Sequence, residues 1–531
     1  MPRSRLSGAA LAVVLLAGAA SACSSASQSA GPASASAAGG VIPLLTVGTA
    51  DQEPTLDPAK NTSSGVIDNL SLETLLNLGP DAQLEPNLAT SVTQPNAVTY
   101  VYHLRPGVKF WDGDPLTATD VAYSLNYVRG QNSHAAYVFP PVKSITATSP
   151  DTVTVTLPGP DPAWKYTPAL TYTGIFEAKF AQQHKGTFGQ PGTLVMGTGP
   201  WEVTSLDPTT GAELSANPHW WGGPVPITHI SVKVYTSQTS LALAFRAGNV
   251  DLVPEITDAK SFTATSGAKL LTTASCQDGF LTMNTQAAPW NDVHVRRAVA
   301  YALNRTDIIA AAGGYATPLY TFIPPQALVT VASTAQVSQL LNGLNQYPYS
   351  LTKAKQEMAQ SAYPHGVNAT LQVYEEGNLV NVAQVEASEL AAAGIHVTLK
   401  QVTLNVAEAN GTGPATARPT SAWEGGCINP DVSGYDFYLG SSNTKAGEWN
   451  EADWAPASVD GLLVTGTTSD DSAQRFAAFS GVVRQMSADV PYVPLYLHEV
   501  SIALSSKFTD PGYNYWYFLD DNYALGIKEA K

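Results

Sequence analysis

The residues of this chain that could carry out chemistry do not form a recognisable catalytic set. His498 and Glu499 begin a metalloprotease-like sequence, but the second histidine that such a zinc site needs at i+4 is absent. Ser350 and Lys353 match one fragment of the serine-lactamase motifs, whose other fragments do not occur, and Ser350 is expected to cap a helix instead. The 9 histidines are scattered, which is not the spacing of a metal site. We therefore predict no enzymatic activity, no metal and no cofactor.

Carboxylates and aromatic rings instead gather in one loop, residues 423–437, with the sequence WEGGCINPDVSGYDF. Trp423 and Tyr435 fit the wall of a ligand cleft, because small-molecule sites combine apolar walls with a few polar groups. Packing in a hydrophobic core fits both rings equally well. Asp431 fits either a partner for a charged ligand group or a turn cap beside Pro430. A family resemblance, given below with its motifs, is what selects this loop as a candidate binding site.

Local patterns predict the elements that would position such a site. Hydrophobic and polar residues alternate over 98–104, which predicts a strand. Thr117 has the residue type of a helix cap, and a helix is predicted over 118–127. The spacing of apolar residues over 66–76 predicts another helix.

Composition limits the class of protein. The chain has 531 residues, more than one hydrophobic core usually supports, so we predict more than one domain. Hydrophobic residues make up 44% and charged residues 13%, which is typical of a folded protein. A net charge of −16 without a cluster of Lys and Arg argues against nucleic-acid binding. A negative field favours amine-bearing ligands, although solubility explains the same charge.

The first residues have the pattern of an export signal. Two arginines precede a small and apolar run over residues 9–20, which is too short to span a bilayer and fits a secretory signal. Cys23 follows and resembles the lipid acceptor of bacterial lipoproteins; the alternative is an ordinary secreted protein cleaved at Ala-Ser-Ala. We expect a signal peptide over residues 1–22 and a lipid-anchored, Ser/Ala/Gly-rich tether over residues 23–40.

Two further cysteines, Cys276 and Cys427, would then lie where disulfides persist. A bond between them would close a loop of about 150 residues, for which the chain-entropy estimate of stabilisation is about 5 kcal/mol. Isolated cysteines without CxxC spacing make a poor zinc site. We therefore predict a disulfide between them.

One continuous stretch carries a family signature. The sequence LRPGVKF at residues 104–110 is followed by DG at 112–113, PLTA at 115–118 and DV at 120–121. Its order and spacing resemble family 5 of the extracellular solute-binding proteins, which includes bacterial oligopeptide-, dipeptide- and nickel-binding lipoproteins of ABC importers. Further matches follow in the same order at GTGPW (197–201), NPHWWGG (217–223), AFRAGNVD (244–251), VRRAVAYALNR (295–305) and PYVPL (491–495).

The resemblance implies an α/β fold like that of periplasmic binding proteins (type II, cluster C-like). Two lobes would enclose a ligand cleft, with hinge crossings near residues 275–284 and 488–496 and an extra subdomain in the first lobe. The expected organisation is lobe I first part 41–75, extra subdomain 76–190, lobe I second part 191–280, lobe II 281–490 and lobe I C-terminal part 491–531.

For the site, the resemblance implies an extended peptide held by main-chain hydrogen bonds. In oligopeptide binders an Asp just after the cysteine of this region pairs with the peptide's amino group. Here the matching residue is Asn429, and Asp431 and Glu424 are the nearby carboxylates. Tyr137 lies in a segment where family members contribute an aromatic residue. Together with two residues beside the second crossing, the predicted ligand contacts are Tyr137, Trp423, Asp431, Tyr435, Tyr496 and His498.

We therefore expect a substrate-binding lipoprotein that captures oligo- or dipeptides in an interlobe cleft and delivers them to an ABC permease and ATPase. Its expected place is the outer face of the cell membrane, as a monomer without a nucleic-acid partner. Two alternatives remain open. The ligand is a metal chelate, an oligosaccharide or an opine-like compound, or the protein is a lipoprotein sensor with the same fold.

Overall fold

The structure is a computed structural model that describes residues 40–531 except 62–64, 80–81, 131–132, 255, 257–258, 264–267, 376, 427–428, 515 and 517–521. The side chains of Tyr137, Thr263 and Cys276 are also outside the description. The predicted signal peptide and Cys23 fall outside the described residues. Within the described part of the chain, no helix combines the length and apolar character needed to cross a membrane.

The described strands are β1 Ile42–Thr49, β2 Leu76–Leu78, β3 Leu84–Pro86, β4 Ala89–Asn96, β5 Thr99–Leu104, β6 Ser144–Ser149, β7 Thr152–Thr156, β8 Trp201–Asp207, β9 Gly211–Ala216, β10 Ile227–Val234, β11 Leu252–Val253, β12 Ala268–Thr282, β13 Ala316–Pro318, β14 Val367–Tyr374, β15 Ile395–Val402, β16 Thr420–Gly425, β17 Tyr492–Ser505, β18 Phe508–Thr509 and β19 Lys528–Glu529. The described α-helices are α1 Asp68–Ser71, α2 Ala118–Val128, α3 Ala178–Gln183, α4 Gln238–Arg246, α5 Ala259–Thr263, α6 Val293–Ala302, α7 Arg305–Ala311, α8 Pro325–Leu328, α9 Thr334–Asn342, α10 Leu351–Gln360, α11 Leu379–Ala392, α12 Leu404–Gly411, α13 Ala457–Thr468 and α14 Ser472–Asp489. Short 3₁₀ helices include His134–Val138, Pro162–Ala169 and Val432–Tyr438.

β12 and β17 form the centre of the main sheet, whose order is β15-β14-β16-β12-β17-β11-β1-β10-β9-β8. These two strands are antiparallel and have 15 and 14 residues. β14 pairs in parallel with β15 and β16 on one side, and β1 pairs in parallel with β10 and β11 on the other. We call the part around β1 and β8–β11 lobe I and the part around β14–β16 lobe II. The predicted crossings near residues 275–284 and 488–496 overlap β12 and β17, which join the two lobes.

Separate hydrophobic cores support these parts. The core of lobe II includes Phe280 and Val299, and that of lobe I includes Leu45 and Trp201. Another cluster, which includes Trp164, packs with the small sheet β4-β5-β7-β6, and we call this unit the small-sheet subdomain of lobe I. Several cores in one chain agree with the expectation from its length. The residue boundaries of the lobes stay predictions.

Most of the local predictions are confirmed and one is wrong. β5 confirms the strand over 98–104, and α2 begins directly after its cap Thr117. The helix predicted over 66–76 is limited to the 4 residues of α1. Beyond α1, Glu73 pairs with Ile175 as an isolated β-bridge and β2 follows. A tertiary backbone pairing therefore replaces the helix that the spacing of apolar residues indicated.

Candidate functional site

A cavity of about 450 Å³ lies between the small-sheet subdomain of lobe I and lobe II. From lobe I it is lined by Val138, Pro140, Pro160, Asp161, Ala163 and Thr167. From lobe II it is lined by Asn429, Ser433, Gly434, Asp436, Phe437, Thr467 and Thr468. Small-molecule sites have volumes of about 300–1,000 Å³. This interlobe cavity is therefore the candidate ligand site, and much of its lobe II side comes from the loop that the sequence singled out.

Two short 3₁₀ helices form walls of the cavity, and each begins at an aspartate. In lobe I, Asp161 precedes Pro162–Ala169 and accepts the amide two residues on at 3.0 Å. In lobe II, Asp431 precedes Val432–Tyr438 and accepts the amide two residues on at 2.9 Å. Aspartate is favoured at such a position because its oxygen satisfies an otherwise unpaired amide. Local sequence therefore fixes where each wall starts.

Asp431 forms an ion pair with Arg475 inside lobe II. Its carboxylate oxygens accept hydrogen bonds from the Arg475 guanidinium, and the Ser433 hydroxyl donates to it at 2.7 Å. The Arg475 and Asp431 side chains are 2% and 0% exposed. Burial opposes ionisation, but the hydrogen bonds and charge of Arg475 hold the pKa of Asp431 below its ordinary value. Asp431 therefore holds the cavity wall through Arg475, and its contact with a ligand stays a prediction.

The carboxylates that line the cavity belong to Asp161 and Asp436, which sequence reasoning did not select. Burial, followed by the charge of Asp460, raises the pKa of Asp436 to about 6. Burial also raises the pKa of Asp161, with a further contribution from the charge of Asp431. A signal was present for the first of them, because Asp before Pro in GPDP at residues 159–162 is typical of a helix start.

Trp423 and Tyr435 pack in the core of lobe II. They are 5% and 2% exposed. The ring centre of Trp423 lies 5.0 Å from that of Tyr374, and the ring centre of Tyr435 lies 6.1 Å from that of Phe322. These contacts fit packing in a hydrophobic core, which is one of the two interpretations that the sequence left open for both rings. A direct ligand contact by either ring stays a prediction.

Tyr496 and His498 meet Glu424 at the crossing strands. The Tyr496 hydroxyl donates to Glu424 Oε1 at 2.5 Å, and His498 Nε2 lies 3.1 Å from the same oxygen. Gly279 of β12 pairs with both Glu424 and Tyr496 and has no side chain to block the phenol. Burial opposes ionisation of Glu424, but the hydrogen bond and charge of His498 keep its pKa below the ordinary value. This cluster ties β16, β12 and β17 together and does not line the cavity.

Besides Cys23, three predicted residues lie partly or wholly outside the description. The backbone of Tyr137 belongs to the 3₁₀ helix that ends at the cavity-lining Val138, but its side chain is not described. Cys427 lies outside the described residues, and Cys276 contributes only its backbone, in β12. The ligand contact of Tyr137 and the disulfide stay predictions.

Among the described residues, Asp112, Asp114 and Glu177 have ligand atoms within 4.8 Å of one another, close enough to hold a metal ion. The ammonium of Lys179 lies 2.6 Å from Asp114, and Asp112 is exposed. Exposed acidic groups of this kind are common without a metal. We assign no metal site to them.

Two α/β lobes joined by a pair of long strands, with a ligand-sized cavity between them, define the class of extracytoplasmic solute-binding proteins. The family description "bacterial extracellular solute-binding proteins, family 5 middle" matches residues 83–445. The chain belongs to this family, as the sequence resemblance predicted. It is a substrate-binding protein of the kind that works with the permease and ATPase of an ABC importer.

Known relatives confirm the fold over most of the chain. The glutathione-binding protein GsiB of Escherichia coli K12 is 23% identical over 485 residues, which cover 89% of this chain and 91% of GsiB. DppA from Helicobacter pylori, in complex with the peptide STSA, has a TM-score of 0.70 and 21% identity and covers 92% of this chain and 99% of its own. AgaA from A. tumefaciens R10, in complex with agropinic acid, has a TM-score of 0.70 and 22% identity, with the same coverage of 92% and 99%.

Proposed function

We propose that this protein captures peptides in the interlobe cavity and delivers them to the permease and ATPase of an ABC importer. The observation that carries the proposal is the cavity of about 450 Å³, lined from both lobes. Two relatives support a peptide ligand, because GsiB is a glutathione-binding protein and DppA holds the peptide STSA. Closure of the lobes around a peptide would bury it against both walls.

The lining suits an extended peptide backbone. Gly434 and Ala163 have small or no side chains, so a ligand can approach the main chain. The Oδ1 atom of Asn429 accepts the Asp431 amide at 2.9 Å, which leaves the side-chain NH₂ group of Asn429 as a donor for a ligand carbonyl. Main-chain recognition of this kind gives affinity without reading each side chain.

Anchoring through Cys23 belongs to the same proposal, with the protein acting as a monomer at the outer face of the membrane. A Cys23→Ser variant should move from the membrane fraction to the soluble fraction after cell fractionation, because the lipid acceptor is lost. The unchanged protein, and a Cys276→Ser control, should stay with the membrane. Equal release of the unchanged protein would favour the alternative of an ordinary secreted protein.

A non-peptide solute is the second candidate ligand. It is favoured by Asn429, which stands where oligopeptide binders have a carboxylate for the peptide amine. The AgaA structure, which holds agropinic acid, supports the same candidate. The neighbouring genes distinguish transport from a sensor role. Adjacent genes for a permease and an ATPase would favour transport, because an importer requires both partners.

Thermal unfolding with a panel of di- to octapeptides at millimolar concentration tests the peptide ligand. A bound ligand at a hundred times its Kd raises the free energy of unfolding by about 2.7 kcal/mol. We expect stabilisation by at least one peptide length. Lack of stabilisation by every peptide, together with stabilisation by an opine or a metal chelate, would favour the second candidate. Mass spectrometry of ligand co-purified with the native protein gives an independent identification.

A further inference from the structure

A small polar cavity lies in lobe I, between the segment that leads from β1 to α1 and the 3₁₀ helix Thr171–Thr173. Its volume is about 10 Å³, which is close to the space that one water molecule or one monatomic ion occupies. The polar residues Asn61, Asp68, Asn69 and Thr171 are part of its lining. Because a guest in so small a cavity touches the walls on every side, these residues would contact it together.

Asp68 brings an unpaired carboxylate oxygen to this cavity. The residue is 7% exposed, and its Oδ2 atom accepts the side-chain amide of Asn61 at 2.8 Å. Its Oδ1 atom is buried and has no hydrogen-bond partner among the described residues. Burying a polar atom in this way is costly, and a bound water or ion is a common explanation for it in a native protein.

The charge around Asp68 is negative. Burial raises the pKa of Asp68 to about 7, the hydrogen bond from Asn61 opposes that rise, and the charge of Asp57 adds to it. Lys60 does not balance Asp68, because its ammonium pairs with Asp57 at 2.7 Å. The Asp57 carboxylate also accepts the Tyr127 hydroxyl at 2.9 Å. A cation at Asp68 would therefore be attracted by two carboxylates, of which Asp57 already has a counter-charge.

The other polar groups of the lining suit a hard cation. The Asn69 amide donates to the Gly65 carbonyl at 2.8 Å, and Asn69 Oδ1 lies 3.1 Å from the place that a Cβ on Gly65 would take, so this amide oxygen lies against another residue of the lining. Carboxylate, amide and carbonyl oxygens are the ligands of Ca²⁺, which accepts irregular geometry. Mg²⁺ demands a regular octahedron and keeps several waters, for which a cavity of about 10 Å³ has no room.

We propose that lobe I binds a Ca²⁺ ion at Asp68, with oxygen atoms of Asn69 and Thr171 as further ligands. This site is separate from the interlobe cavity and goes beyond the proposed transport function. The ion joins the segment after β1 to the 3₁₀ helix Thr171–Thr173 and thereby stabilises lobe I. Extracellular Ca²⁺ modules have Kd values of about 10⁻⁴–10⁻³ M, which is the range expected here. The scattered histidines argued against a transition-metal site and do not bear on a site built from oxygen atoms.

Isothermal titration with CaCl₂ of the full mature chain, after EDTA treatment and dialysis, tests the site. The unchanged protein should bind one Ca²⁺ with a millimolar or tighter Kd, and its melting temperature should rise with CaCl₂ because the ion binds the folded state. Asp68→Asn should weaken binding at least tenfold, since it removes the charge and keeps the size of the side chain. Asp112→Asn, in the exposed acidic cluster, should bind Ca²⁺ as the unchanged protein does.

The pH dependence of binding is a second readout. Ca²⁺ requires the ionised carboxylate, so a pKa of about 7 for Asp68 predicts that affinity falls about tenfold from pH 8 to pH 6. The melting temperature without Ca²⁺ separates loss of binding from loss of folding. Asp68→Asn removes a buried carboxylate with an unpaired oxygen, so this melting temperature should not fall.

Three results would overturn the proposal. The first is no binding of Ca²⁺ at millimolar concentration, or no more stabilisation by CaCl₂ than by NaCl of equal ionic strength. The second is equal binding of Mg²⁺ from MgCl₂, which would contradict the choice of Ca²⁺. The third is binding that Asp68→Asn keeps and Asp112→Asn loses, which would place the ion at the exposed acidic cluster instead.

Discussion

Buried carboxyl groups in this protein are of two kinds. Glu73 accepts the Thr198 hydroxyl at 2.7 Å and the indole N–H groups of Trp220 and Trp221 at 3.0 Å, which offset part of its desolvation, although burial still raises its pKa. Glu386 on α11 is fully buried, and neither carboxylate oxygen has a partner among the described residues. Burial, with the charge of a nearby glutamate, raises the pKa of Glu386 to about 8. Raised pKa values of both kinds make stability depend on pH, and Glu386 is the simpler case because its carboxylate has no partner among the described residues.

A Glu386→Gln variant tests this dependence. The native carboxyl keeps its proton up to about pH 8, whereas the unfolded chain loses it near pH 4.3. The contribution of Glu386 to stability is therefore fully present below the unfolded pKa and is lost as pH rises towards the folded pKa, at about 1.4 kcal/mol per pH unit. In urea denaturation, the free energy of unfolding of Glu386→Gln relative to the unchanged protein should therefore rise between pH 5 and pH 8.

The exposed Glu375→Gln is the control for that experiment, and its difference from the unchanged protein should stay constant with pH. A constant difference for Glu386→Gln as well would show that the buried carboxyl has a hydrogen-bond partner or hydration that keeps its pKa ordinary.

At the scale of elements, Arg475 ties together the pieces that form the lobe II side of the cavity. It lies on α14, donates to the Gly466 carbonyl near the end of α13 at 2.7 Å and pairs with the cap residue Asp431. α13 ends in the cavity-lining Thr467 and Thr468. One buried guanidinium thus connects two elements that line the cavity.

Arg475→Gln should lower the free energy of unfolding by about 3–5 kcal/mol, because it leaves the buried Asp431 carboxylate without its cation. Arg484→Gln, an exposed position on the same helix, should change it by less than about 0.5 kcal/mol. Chemical denaturation measures both. The double variant Arg475→Met, Asp431→Leu should recover much of the loss, since apolar residues replace buried pairs at little cost. No recovery would indicate that Arg475 acts mainly through Gly466.

The crossing strands depend on a glycine. An added Cβ at Gly279 would lie 2.1 Å from the Tyr496 ring, so the phenol could not keep its hydrogen bond to Glu424. Gly279→Ala should therefore lower the free energy of unfolding by about 1–3 kcal/mol in urea denaturation. Gly461→Ala on α13, where no atom lies within 4 Å of the added Cβ, should leave it unchanged or raise it by up to about 1 kcal/mol. If both glycine variants changed the free energy of unfolding equally, the role given to the hydrogen-bonded cluster of Glu424, Tyr496 and His498 would be contradicted.

At the scale of the whole molecule, β12 and β17 are the strands that join the two lobes. Antiparallel pairing of β12 with both β16 and β17 places the Glu424 cluster where the lobes join. The interlobe cavity is lined by different segments, from residues 138–167 and 429–468. The joint and the candidate ligand site are thus built from separate residues, so substitutions at one need not change the other.

The disulfide between Cys276 and Cys427 stays a prediction, because Cys427 and the side chain of Cys276 lie outside the described residues. Peptide mapping without reductant should recover a linked pair of peptides, and reduction should lower the melting temperature. Two free thiols in the exported protein would contradict the disulfide.

Much of the fold followed from local sequence, and the exceptions have a physical cause. The strand β5 and the cap Thr117 were predicted because the alternation of residues and the cap chemistry are local. The helix over 66–76 failed because β-bridge pairing with a distant segment decided the backbone beyond α1. The family signature at residues 104–121 identified the class of protein because its residue order is preserved in one continuous stretch.

By itself, the sequence determined the solute-binding family, the α/β fold and the loop that contributes to the cavity. Only the tertiary structure decided which aspartates line it. Asp431 stands in the same loop as Asp436, yet Arg475 of a later helix pairs with Asp431, while no described residue donates a hydrogen bond to the carboxylate of Asp436. Asp161 reaches the same cavity from the other lobe. A carboxylate's availability depends on burial and on partners far away in the chain, and the spacing of residues in the sequence carries neither.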